Sequence, residues 1–330
     1  MSYARARSIG IEEIPVIDVG ALQTDSRADV KTVATALRKA AEGPGFFYIS
    51  NHGVSRAVIE AAFDASRRFF ALPIEEKRRV AINALHRGFI ETGGAKMYDK
   101  AKVDLKESYL WGLELGLDDP DVIAGKPLMG PNQWPDFLPG FQAPLYAYYN
   151  AVVDCGRSLL GALALSLELP REFFEPRFAK PLARGSIIYY PPQPADMGED
   201  QFGVAPHSDY GGITLLYQDD KGGLQVRGRS GDWVMAHPIP DTFVINIGDL
   251  MARWTNDRFA STPHRVVNSS GKARYSIALF FDPAFDTVID PADLLKDRSA
   301  ARYPPVTCGE YILSRFDKAF RYRQPGSHRA

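Results

Sequence analysis

Five side chains in this 330-residue sequence have the types and spacing for oxidative metal chemistry. His207 and Asp209 stand two residues apart, His264 lies well downstream, and Arg274 and Ser276 follow it by ten and twelve positions. Neutral imidazole and carboxylate suit Fe(II), and three protein ligands leave roughly three of six octahedral positions open. Open positions are what an oxygen-activating site needs. Zinc also accepts His and Asp and would support hydrolysis, but it leaves the arginine–serine pair unexplained. Arg274 offers a planar fork that matches a carboxylate, and the Ser276 hydroxyl adds a further donor. An arginine inside a barrel needs an anionic partner, because an unpaired buried charge is costly. A structural Arg–Asp pair is the other reading of such an arginine.

An H-x-D triplet alone is a weak signal in a chain with six histidines. The surrounding elements strengthen it. In an extended strand residues i and i+2 share a face, so one strand end presents His207 and Asp209 to the same ion. His264 opens a second β-rich run, 264–267, which a barrel would bring alongside. Arg274 and Ser276 lie on a third and also face one way. Further short β-rich runs cover 186–190, 213–217, 224–226, 233–236, 242–247 and 275–281, separated by turn-formers such as Gly222-Gly223, Gly231, Pro240 and Gly271. This pattern predicts a sandwich or closed barrel, and a jelly roll fits it.

The N-terminal part reads differently. A strand is expected over 14–19, a helix over 29–42 stopped by Gly43-Pro44, a strand over 45–49 and a helix over 56–70. Residues 83–105, with three glycines, read as a long loop with short strands. The longest helix, 145–169, is apolar on most faces, which predicts packing against a sheet. A last helix is expected over 308–320, then a loose polar tail. The expected fold class is α+β with a mainly β core, as one domain over 1–330. Its parts are an N-terminal helical and loop part (1–180), a catalytic core (181–285) and a C-terminal segment (286–330).

Composition narrows the partners. An apolar fraction of 45% supplies a core. A net charge of −1 with scattered Lys and Arg argues against nucleic acid or a membrane surface as a partner. Cys155 and Cys308 form no CxxC pattern, so neither a disulfide framework nor a zinc ribbon is expected. No secretory signal is read at the start, and the longest apolar stretch, 159–169, is too short to span a bilayer. A cytoplasmic protein is expected, and the near-neutral surface permits a monomer.

Taken in order, the N-terminal half shows IPVIDV (14–19), GFFYISNHGV (45–54), RGF (87–89), DLKESY (104–109) and NQWP (132–135). The C-terminal half shows YYPP (189–192), HSD (207–209), GGLQV (222–226), VINIGD (244–249), STPHRV (261–266) and RYS (274–276). Over almost its whole length the chain thereby resembles the Fe(II)/2-oxoglutarate-dependent dioxygenases, and more narrowly their isopenicillin N synthase-like branch. The resemblance implies a double-stranded β-helix core, with Fe(II) held by His207, Asp209 and His264. It implies 2-oxoglutarate as cosubstrate with O2, its distal carboxylate meeting Arg274 and Ser276 and Tyr190 in contact. The position two before Tyr190 is often Asn in plant relatives and is Ile188 here.

The resemblance also places substrate contacts near Phe280 and Asp282, with Asp282 free to pair an amine, and pocket lining at Thr214, Leu216 and Leu224. Core packing is the plainer reading of those last three. A loop carrying Arg87, Phe89 and Tyr98, with the DLKESY segment, is expected to close over the substrate. His52, His86, His237 and His328 receive no metal role. The implied reaction is oxidative decarboxylation of 2-oxoglutarate to succinate and CO2, coupled to hydroxylation, desaturation or cyclisation of a small organic molecule. Three alternatives remain open on sequence. One is an isopenicillin N synthase-type oxidase without 2-oxoglutarate, in which the Arg-x-Ser pair grips the substrate's own carboxylate. The others are an ethylene-forming variant and a non-catalytic binding module.

Overall fold

Alternation along each strand decides this architecture. The computed structural model describes residues 4, 6–8, 14–24, 27–94, 103–193, 198 and 200–323. The first part holds β1 (Arg7–Ser8), β2 (Val16–Asp18), α1 (Arg27–Glu42), β3 (Phe46–Ser50), α2 (Arg56–Phe70), α3 (Ile74–Arg78) and β4 (Gly88–Ile90). Then come β5 (Glu107–Gly112), α4 (Pro120–Ile123), α5 (Gln142–Ser166), β6 (Arg184–Tyr190), β7 (Val204–His207) and β8 (Ile213–Gln218). The chain continues through β9 (Leu224–Arg227), β10 (Trp233–Met235), β11 (Phe243–Ile247), α6 (Asp249–Trp254), β12 (His264–Val266) and β13 (Arg274–Phe281). It closes with β14 (Val288–Ile289), β15 (Val306–Thr307) and α7 (Cys308–Ala319).

The strands form an eight-stranded sheet, β2-β3-β11-β8-β13-β6-β5-β4, and a five-stranded sheet, β1-β10-β9-β12-β7. Pairing within them is antiparallel except at β2–β3 and β1–β10. Segment 1–180 supplies four of the eight strands of the larger sheet.

Cross-strand partners share a face, so the register sorts every residue of the larger sheet. One row on its inner face runs Phe46, Asn246, Thr214, Phe280, Arg184, Gly112. The next runs Tyr48, Val244, Leu216, Ala278, Ser186, Leu110, Gly88. This face meets the smaller sheet through one apolar cluster that includes Phe46, Tyr48, Ile188, Tyr190, Leu224, Val226, Val244 and Val266. The alternate residues, among them Phe47, Tyr109, Ile187, Leu215, Ile277 and Leu279, face outward into a second cluster with residues of α1, α2 and α5. The arrangement is a jelly roll with helices laid over one sheet.

Helix α5 reaches the sheet where Gly156 crosses Phe281. A Cβ there would lie 2.7 Å from the ring, so only glycine permits that approach. The expected long helix therefore does pack on the barrel. Sequence reading missed β5 and α6. Tyr109, Leu110 and Trp111 are the whole apolar run of β5, behind the polar Lys106-Glu107-Ser108, and three residues are too few to read as a buried strand. Helix α6 has six residues, too few to show a helical period. Among the described residues, no helix is long and apolar enough to cross a membrane.

Candidate active site

Two strands and a turn bring the triad together. His207 ends β7 and pairs directly with His264, the first residue of β12, and their ring centroids are 4.3 Å apart. Asp209 lies just past β7, its carbonyl accepting from the main-chain N–H of Asp249 at the start of α6. Asp209 Oδ1 stands 3.7 Å from both His207 Nε2 and His264 Nε2. One candidate ligand atom from each residue lies within 4.8 Å of the others.

The remaining polar atom of each candidate ligand is occupied. His207 Nδ1 faces the Ala205 carbonyl at 2.8 Å and His264 Nδ1 the Thr262 carbonyl at 3.2 Å. A carbonyl only accepts, so each Nδ1 carries the proton and each Nε2 presents a lone pair to an ion. The Asn246 amide and the Thr214 hydroxyl donate to Asp209 Oδ2 at 2.7 and 2.5 Å, which leaves Oδ1 for the metal. Burial, and then the neighbouring His264, push the His207 pKa well below the ordinary imidazole value, so this ligand stays neutral. Burial opposes charge on Asp209, but His264, His207, Thr214 and Asn246 together hold it below the usual carboxylate value. The donor set suits Fe(II).

Arg274, the first residue of β13, is fully buried. Its Nε donates to the Gly222 carbonyl at 2.5 Å, its Nη1 to Ser276 Oγ at 3.3 Å and its Nη2 to Gln218 Oε1 at 3.2 Å. Tyr190, its cross-strand partner, lies under the guanidinium at 4.6 Å. All of these partners are neutral. Asp219, on the turn after β8, accepts instead from the main-chain N–H groups of Tyr275 and Lys221. Among the described residues no carboxylate bonds the guanidinium, so the structural Arg–Asp pair does not form, and the buried charge can take an outside anion.

Comparison with known proteins agrees with this geometry. Residues 186–283 match the 2OG-Fe(II) oxygenase superfamily, and residues 14–137 match the family described as "non-haem dioxygenase in morphine synthesis N-terminal". The chain is 36% identical to the 2-oxoglutarate-Fe(II) type oxidoreductase hxnY of Emericella nidulans, over 93% of this chain and 90% of that one. The chain belongs to the 2OG-Fe(II) oxygenase superfamily. A full-length Neurospora crassa protein, solved in complex with alpha-KG, superposes with a TM-score of 0.83 at 28% identity, covering 94% of this chain and 99% of that one. JOX2, solved with 2OG, Fe and JA, gives a TM-score of 0.77 at 29% identity, covering 94% and 88%. This oxygenase is accordingly an oxidoreductase that uses Fe(II) and 2-oxoglutarate. The 2-oxoglutarate-bound neighbours give no support to the oxidase that dispenses with the cosubstrate.

The other expected site residues divide by sheet face. Leu216, Leu224 and Phe280 lie on the inner face or against it, with Phe280 half-buried. Thr214 is inward too, but its hydroxyl donates to Asp209 Oδ2, so it is engaged by a candidate ligand. Asp282 is not free to pair a substrate amine. It is buried, takes a bond from Arg184 Nη2 at 2.5 Å and another from the Gly212 N–H at 2.8 Å. Gly211 makes room for it, since a Cβ there would collide with Asp282 Oδ1.

Two expected lid residues are also corrected. Phe89 pairs with Tyr109 on the outer face, among Phe69 and the helices, because one step along a strand reverses the facing. Arg87 is buried, and its Nη atoms donate to the carbonyls of Leu85, His86 and Leu128. Tyr98 and His328 fall outside the described residues. Sequence reasoning missed Asn246, Gln218 and Arg184. Each is a polar residue at an inward position of an otherwise apolar strand, and that was the available signal.

Proposed function

We propose that His207, Asp209 and His264 hold Fe(II), that Arg274 and Ser276 receive the distal carboxylate of 2-oxoglutarate over Tyr190, and that the molecule oxidised is a small organic compound. The observation that carries this reading is Arg274, a buried cation whose hydrogen-bond partners among the described residues are all neutral, one sheet away from a convergent metal-ligand set. Bound iron supplies the redox chemistry that couples O2 to decarboxylation of the keto acid. The protein's share is placement. Arg274 and Ser276 orient the cosubstrate, Asn246 and Thr214 fix the carboxylate ligand, and the inner face excludes water.

The alternatives for the second product are hydroxylation, desaturation and cyclisation of the substrate. A small-molecule substrate is supported by the Neurospora crassa neighbour and JOX2, whose structures carry thymine and JA. One chain supplies every residue named here, so an oligomer is not required. Both cysteines are buried and unpaired, which favours a reducing compartment, the cytoplasm. The test is release of labelled CO2 from 1-labelled 2-oxoglutarate under air with Fe(II). The account expects release from the native protein and none from His264→Ala. Equal release from both would sink it.

A further inference from the structure

Arg184 opens β6 on the inner face, in the same cross-strand row as Asn246 and Thr214, the two residues that steady Asp209. It stands two strands from Thr214, about 10 Å away at ordinary strand spacing. Its side chain is 6% exposed. Nη2 donates to Asp282, but Nε and Nη1, both buried, have no hydrogen-bond partner among the described residues. Aromatic rings flank the guanidinium, with Phe280 at 5.5 Å and Phe316 of α7 at 4.8 Å. Such walls lower the local dielectric and strengthen any ion pair made there.

The charge around it does not balance. Arg87 lies close by, and burial pushes it down only to about 10, so it is cationic at neutral pH. It too has a buried Nε without a hydrogen-bond partner among the described residues. His86, next to both, is driven neutral by burial and by these arginines. Arg323 is already paired with Asp317. Against the two arginines stands Asp282, the carboxylate bonded to Arg184. Glu114 lies further off, engaged by Asn132 and Trp134. Two buried cations with one direct counter-ion among the described residues, and unfilled donors, call for one more negative charge.

Resting on the function proposed above, we propose that Arg184 is the specificity-determining anchor for the substrate and that the substrate carries a carboxylate. The free donors on Nε and Nη1 take the carboxylate, Phe280 and Phe316 flank it, and the carbon to be oxidised lies between this anchor and the metal. The 2-oxoglutarate clamp does not compete. Arg274 lies six positions from Phe280 along β13, about 20 Å at strand rise.

The experiment is anaerobic calorimetric titration of protein loaded with Fe(II) and saturating 2-oxoglutarate. The probes are benzoate, phenylacetate and C6–C10 straight-chain monocarboxylates, each beside its primary amide. At least one acid is expected to bind, with its amide weaker by about 10- to 100-fold. Arg184→Gln is expected to abolish that difference. Acid and amide binding alike in the native protein, no acid binding at all, or a preference that survives in Arg184→Gln would each overturn the proposal. The native comparison stands even if the variant fails to fold. The visible absorption of the loaded protein, recorded first, separates the two claims. If it is present without an acid preference, only the anchor fails; if it never forms, the underlying function fails.

Discussion

A carboxylate serves one metal well when one oxygen is held and the other is free, and Asp209 is arranged that way. Its Oδ2 takes Asn246 and Thr214, and its Oδ1 faces the two Nε2 atoms. Removing either donor frees Oδ2 and lets the carboxylate rotate out of the orientation in which Oδ1 faces both Nε2 atoms. Asn246→Ala and Thr214→Val are each expected to weaken Fe(II) binding by about 10- to 100-fold while leaving the protein folded. Metal titration followed by circular dichroism checks both parts, and unchanged affinity in both variants would refute this role. At this scale the convergence of His207, Asp209 and His264 was legible because few residue types suit iron and spacing gave the facing of the first two. Asp282 was misread for a physical reason. Strand parity placed it correctly, but parity does not reveal that a cross-strand arginine already occupies it.

Helices were legible where one face differs from the other, and β3 and β11, buried almost throughout, were legible as apolar runs bounded by turn-formers. Helix α2 matches its expected span, bounded by the Ser55 cap that accepts from Val58. β5 was missed because its apolar run is only Tyr109, Leu110 and Trp111, behind the polar Lys106-Glu107-Ser108. Facing is also where the expected lid gave way, since Phe89 points into the helical cluster. Phe89→Ala is therefore expected to cost about 3–5 kcal/mol of stability. It should leave the affinity for 2-oxoglutarate as it was. Urea unfolding and a cosubstrate titration together decide it. A small stability loss with altered binding would restore Phe89 to the site. Thr307→Ala should cost a more modest ~1 kcal/mol by the same assay, because Thr307 and Glu310 form a capping box at the start of α7. A loss indistinguishable from zero would mean that α7 is held by its packing alone.

Over the whole molecule, burial sets the response to acid. His207, His86 and His52 are each held below the ordinary imidazole value of 6.5, chiefly by burial. The unfolded chain takes up protons near that value while the folded chain does not. Stability is therefore lost as pH falls through 6.5. Buried carboxyls with raised values, Asp104, Asp219 and Asp282, act in the opposite sense as they protonate. The first step below neutrality is thus the informative one. Metal-free protein should melt at a lower temperature at about pH 6 than at about pH 7.5, and an unchanged or higher melting temperature would contradict these shifts.

The same scale explains what the sequence left hidden. The pairing of β12 with β7 unites His264 and His207 across 57 positions, and the paired imidazoles can be matched by motif but not measured by spacing. The account's central claim is that this pairing and the buried Arg274 form one site for iron and 2-oxoglutarate. The most direct measurement is anaerobic addition of Fe(II), then 2-oxoglutarate, to metal-free protein and to Arg274→Ala, recording the visible charge-transfer band. A band in the native protein that needs at least about 100-fold more 2-oxoglutarate in the variant is the predicted result. Iron binding with no band, or a band equally easily formed in Arg274→Ala, would contradict it.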